Sequence, residues 1–154
     1  MRLLLLTFVA LAGVATAASA ALPVGSASAT VTPRVAGAKA TVLTVSLGLE
    51  LKCAKPPDVP IVVSLPRAWH VPKTVARTAV SIDGVRPDSV EVSNRTLTVQ
   101  PSVPRRTCDV LAPGTITVDF ARAAGLGNPR RAGVYTVRAS IGTQDFSARV
   151  RIKP

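Results

Sequence analysis

His70 is the one histidine of the chain and the only conventional base that a serine or cysteine nucleophile could use. No serine near it occupies a strand-turn-helix setting, so the sequence offers it no nucleophile. Asp83, Asp88 and Glu91 lie close enough together in the chain to suggest a carboxylate pair for glycoside chemistry. Each has a simpler explanation: Asp83 precedes Gly84 in a turn, Asp88 follows Pro87, and Glu91 falls on the wet face of a strand. The sequence contains no phosphate-binding glycine loop and no cluster with metal-ligand spacing. The chain is therefore expected not to be an enzyme and to carry no metal and no cofactor.

What remains is thiols and cations. Cys53 and Cys108 are the only two cysteines, and in an exported chain they allow a single intramolecular pairing. The formal net charge is +11, which favours polyanionic partners. Alternation along the last two strands is expected to bring Arg138, Arg149, Arg151 and Lys153 to one face. Arg130 and Arg131 stand at a loop tip, read first as a solvated turn and second as a docking pair. Single-stranded nucleic acid would require aromatic side chains among the cations, and Tyr135 and Phe146 point to the opposite face, so no nucleic acid is expected.

The elements that must position these residues follow from periodicity. Arg2, the run Leu3-Leu4-Leu5-Leu6 and the small residues Ala18-Ser19-Ala20 read as a signal peptide over 1–20, with a second candidate cut at Ala27-Ser28-Ala29. The apolar run is shorter than the ~20 residues of a membrane span, and no cysteine follows it for a lipid anchor. Residues 21–28 are expected to form a flexible leader, and 29–154 a single domain. Strands are expected at 29–35, 41–53, 61–65, 89–93, 96–100, 115–120, 134–141 and 144–152, with a partly extended stretch at 75–82. If the last hairpin turns at Gly142-Thr143, Ala139 meets Phe146, Val137 meets Ala148 and Tyr135 meets Val150. Across Asn94-Arg95, Val92 meets Leu97 and Val90 meets Val99. Residues 121–125 can make one helical turn, and Trp69 is expected to plug the core rather than to offer a sugar platform. Seven to nine short strands with Pro, Gly and Asp-Gly punctuation indicate an all-β, antiparallel sandwich of two sheets.

Three segments carry a resemblance. Ile116-Thr117-Val118-Asp119-Phe120, then Ala123-Ala124-Gly125-Leu126-Gly127-Asn128-Pro129, then Ala132-Gly133-Val134-Tyr135-Thr136-Val137 resemble an immunoglobulin-like domain of bacterial surface-layer and cell-wall proteins. Leu65-Pro66 with Val71-Pro72, and Val80-Ser81-Ile82-Asp83-Gly84-Val85, look like further segments of that family. The resemblance implies an extracytoplasmic, immunoglobulin-like sandwich and brings no catalytic or binding residue. The chain departs from the pattern in its single copy, its cysteine pair and its arginine content. The expected function is association with anionic envelope material, either cell-wall polymer or lipid head groups. The alternative is a secreted binder of one protein or glycan target, of inhibitor or adhesin type.

Overall fold

In the computed structural model, which describes residues 21–52, 55–102 and 110–154, the alternation produces nine strands. They are β1 (Ala27–Thr32), β2 (Val42–Lys52), β3 (Ile61–Ser64), β4 (Val80–Ile82), β5 (Ser89–Ser93), β6 (Thr96–Gln100), β7 (Leu111–Phe120), β8 (Gly133–Ile141) and β9 (Gln144–Ile152). The expected signal peptide at 1–20 lies outside the described residues, as do Cys53 and Cys108 and therefore their pairing. No helix among the described residues is long and apolar enough to cross a membrane.

Every strand pairing is antiparallel, and the strands form two sheets, ordered β1-β2-β7-β4 and β5-β6-β3-β8-β9. These strand positions are those of an immunoglobulin-type sandwich with two added strands, β5 and β6, beside β3. The order of visiting them differs, because β4 joins the first sheet before the β5–β6 hairpin returns to the second.

Burial follows the pleat. Leu43, Val45, Leu47, Leu49 and Leu51 of β2 turn inward beside Ile116, Val118 and Phe120 of β7. Against them the second sheet sets Ile61, Val63, Leu97, Val99, Val137, Phe146, Val150 and Ile152. Apart from Phe120, Phe146 and the plug Trp69, the buried bulk is aliphatic.

Both hairpin registers match expectation, with Ala139, Val137 and Tyr135 opposite Phe146, Ala148 and Val150, and with Val92 and Val90 opposite Leu97 and Val99. The turns supply the reason, since Asn94 adopts φ 53° and Gly142 φ 56° in two-residue loops.

Three boundaries differ. First, β1 runs from Ala27 to Thr32 rather than over 29–35, ending where Pro33 removes an amide donor, and Val35 makes only an isolated bridge to Lys153. Second, 75–82 holds a 3-10 turn at Arg77–Ala79 and only the short strand β4. Third, β7 begins at Leu111, through Pro113. Pro113 is tolerated because β4 flanks only Val118 to Phe120, so that among the described residues no strand pairs with this half of β7 on the side away from β2. The stretch at 21–28 is also tied down: the Leu22 amide donates to Thr115 Oγ1 at 2.7 Å, and Gly25 and Ser26 exchange backbone bonds with Gly48.

Candidate functional site

The expected cations separate into two places. Arg138, Arg149 and Arg151 are exposed on the outer face of β8 and β9, where their cross-strand partners Ser147, Thr136 and Val134 are uncharged. Lys153, also exposed, follows Ile152 on the same phase and exchanges backbone bonds with the segment after β1. Asp145, paired with Ser140, is the carboxylate on this outer face of β8 and β9. Along β9 the cations at 149, 151 and 153 recur about every 7 Å, twice the rise of a strand residue.

Arg130 and Arg131 stand elsewhere. They belong to the loop between β7 and β8, which closes one end of the sandwich together with the loops after β1 and after β3. Backbone bonds knit the three loops: Gly37 to the Pro129 carbonyl at 2.7 Å, Asn128 to the Ala38 carbonyl at 2.9 Å, and a reciprocal pair between His70 and Gly127 at 3.1 and 3.0 Å. Asn128 locks the arrangement, its Nδ2 donating to the carbonyls of Pro33 at 2.7 Å and Val35 at 2.8 Å. Tyr135 donates its hydroxyl to the Arg131 carbonyl at 2.8 Å and holds the arginine pair in place.

Local sequence explains the loop shape. After the 3-10 turn Arg122–Ala124, Gly125 takes φ 73°, a left-handed cap. At Gly127 the requirement is space: a Cβ there would sit 3.2 Å from the His70 Cβ and 3.4 Å from the Ala38 carbonyl oxygen.

The three loops enclose a cleft of about 860 Å³. Trp69, buried at 4% exposure as its expected role as a plug requires, lines it beside His70, whose side chain is exposed. Two polar atoms of this wall are buried without a hydrogen-bond partner, the Trp69 Nε1 donor and the Asn128 Oδ1 acceptor. Neither the cleft nor the role of Asn128 was legible in advance, because residues far apart in the chain meet there only after folding.

The carboxylates weighed for chemistry do not converge. Asp83 leaves β4 on the first sheet, Glu91 is exposed on β5 of the second, and Asp88 is exposed between them. The neighbour of Asp83 is instead Asp119, which accepts the Thr44 hydroxyl at 2.6 Å. Burial pushes the Asp83 carboxyl above its ordinary value, with the Asp119 charge adding to the rise and a hydrogen bond from the Thr117 amide opposing it.

No family model matches this chain, and neither does any curated protein. Solved structures of similar shape include BslA, a bacterial hydrophobin, at 16% identity and a TM-score of 0.49 over 83% of this chain and 97% of that one. A non-cellulosomal cohesin from the hyperthermophilic archaeon Archaeoglobus fulgidus aligns at 8% identity and a TM-score of 0.39, over 84% of this chain and 92% of that one. A structure of manganese lipoxygenase of Gaeumannomyces graminis with part of zonadhesin of Komagataella pastoris aligns at 18% identity and 0.43, over 86% of this chain and 47% of that one. All three scores fall below 0.5, and the two-sheet sandwich rests on the chain's own strand pairing. Of the expected resemblance, the all-β sandwich is what the structure shows.

Proposed function

We propose that the chain is an exported, non-catalytic sandwich of the cell envelope that associates with anionic wall polymer or lipid head groups through the outer face of β8 and β9. One observation carries the proposal: Arg138, Arg149 and Arg151 are exposed together on a regular sheet face with uncharged cross-strand partners, in line with Lys153. The signal-peptide pattern at 1–20 and the resemblance to cell-wall domains support the location. A row of cations about 7 Å apart suits a polymer that carries repeated negative charge. Exposed charges of this kind are screened beyond ~8 Å at physiological ionic strength, so the association is expected to be salt-sensitive.

The test is sedimentation of the protein with purified envelope over a salt series. Most of the bound fraction should be released on going from low salt to about 0.5 M, where screening is strong. The triple variant Arg138→Ser/Arg149→Ser/Arg151→Ser should bind several-fold more weakly while keeping its melting temperature, since its side chains face water. Binding that resists salt and survives the triple substitution would overturn the proposal.

A further inference from the structure

We infer that the cleft between the loops at 37–40, 68–70 and 125–131 is a binding site for an acidic saccharide unit, one that carries a carboxylate or phosphate together with free hydroxyls. The site is distinct from the flat β8–β9 face, and the inference does not depend on the envelope reading.

Charge sets the first requirement. Among the described residues, Lys39, Arg130 and Arg131 line the cleft and no carboxylate does, so an anion entering it meets three permanent cations. The cations of a merely solvated surface are commonly interspersed with acids; here the described lining carries charge of one sign.

The orphaned polar atoms set the second. A buried donor or acceptor without a partner costs about 1–3 kcal/mol, and native proteins leave few of them. Here two occur in one wall, Trp69 Nε1 and Asn128 Oδ1, in side chains 4% and 5% exposed. One is a donor and the other an acceptor. Both atoms lie under the cleft surface; a hydroxyl serves both roles once a side-chain shift uncovers them, whereas a bare inorganic anion can satisfy only the donor.

The third consideration separates a sugar from a nucleotide. A nucleobase wants an open aromatic face, and the ring of Trp69 is covered. Tyr135 is engaged through its hydroxyl and is only half-buried. A sugar recognised by its hydroxyls and its charge needs no stacking platform. The volume of about 860 Å³ lies within the range of small-molecule sites, ~300–1,000 Å³.

Trp69 is the only tryptophan of the chain, so its fluorescence reports on this cleft alone. The full chain would be titrated with a galacturonate trisaccharide, with a maltotriose monophosphate, and with maltotriose as an uncharged control. A saturable change in emission is expected with at least one acidic probe, and which one responds decides between carboxylate and phosphate. Maltotriose should bind at least about tenfold more weakly. The variant Arg130→Ser/Arg131→Ser, altered only at exposed side chains, should lose about tenfold in affinity or more with an unchanged melting curve. The triple variant of the β8–β9 face should stay within about twofold of the parent, which keeps failure of this inference separable from failure of the envelope proposal. No response to either acidic probe, equal affinity for maltotriose, or an unaltered affinity in the Arg130/Arg131 variant would overturn it.

Discussion

Asp83 sits in a left-handed turn at φ 49°, followed by Gly84 at φ 78°, and its carboxylate reaches back to accept the Thr117 amide hydrogen at 2.8 Å. The turn conformation is the one that Asp-Gly was expected to supply. Loss of water nevertheless raises the carboxyl's affinity for a proton, the Thr117 hydrogen bond opposing the rise and the Asp119 charge adding to it. A folded-state value above the unfolded one gives stability that is present below the ordinary carboxylate range and is lost as pH rises through the folded value. At neutral pH the ionised Asp83 is therefore a small liability. Its side chain is exposed by area, so the effect is discounted to about 0.5 kcal/mol or less. Asp83→Asn keeps the acceptor oxygen and tolerates the turn. Urea melts should show it equal to or slightly more stable than the parent at pH 7, with the gain vanishing near pH 3; lower stability at neutral pH would contradict this account.

Among the elements, β2 is organised around a glycine that the alternation alone reads as an ordinary outward position. A Cβ at Gly48 would collide with the Pro23 carbonyl, because residues 22–26 lie against the strand there. Gly48→Ala should push that segment away and cost about 1–3 kcal/mol, as overpacking does. Amide exchange should quicken at Gly25 and Gly48 while the β8–β9 amides keep their protection. This position also shows what the sequence conveyed and what it did not. The β8–β9 and β5–β6 hairpins were legible to the residue pair, because two-residue loops fix register and each strand has one apolar face. The start of β7 was not, because Pro113 and Gly114 carry loop chemistry; only the absence of β4 alongside lets them extend. The anchoring of 22–26 was hidden for a related reason, since five residues are too few to show a period and they dock through their own backbone, onto Gly48 and the Thr115 hydroxyl. The cleft was hidden because its polar residues come from three connections that no local pattern links.

For the molecule as a whole, the two outer faces differ in character. The β1-β2-β7-β4 face is lined with hydroxyls, Thr44 bonded to Asp119 and Ser46 to Thr117, while the β8–β9 edge of the other sheet holds the arginine row. We further propose a Cys53–Cys108 bridge, since Lys52 and Leu111, one residue before Cys53 and three after Cys108 in the sequence, are themselves paired across β2 and β7. In the chain-entropy account such a bridge contributes on the order of 4 kcal/mol. Reduction should lower the melting temperature by many degrees, with a non-reducing digest linking the two cysteine peptides. Two free thiols in that digest, or an unchanged melt on reduction, would rule the bridge out.

The pairing of β2 with β7 has a consequence in time. Leu43 meets Phe120 and Lys52 meets Leu111, so the central ladder joins residues that are remote along the chain. Loop closure on that scale has to precede any reward from the ladder, and domains dominated by such contacts fold in milliseconds to seconds rather than microseconds. A nascent chain that has not yet released residue 120 cannot complete its inner sheet. The β5–β6 hairpin can close on its own before then, while one edge of β2 waits for a partner synthesised about sixty residues later, the distance from Lys52 to Leu111.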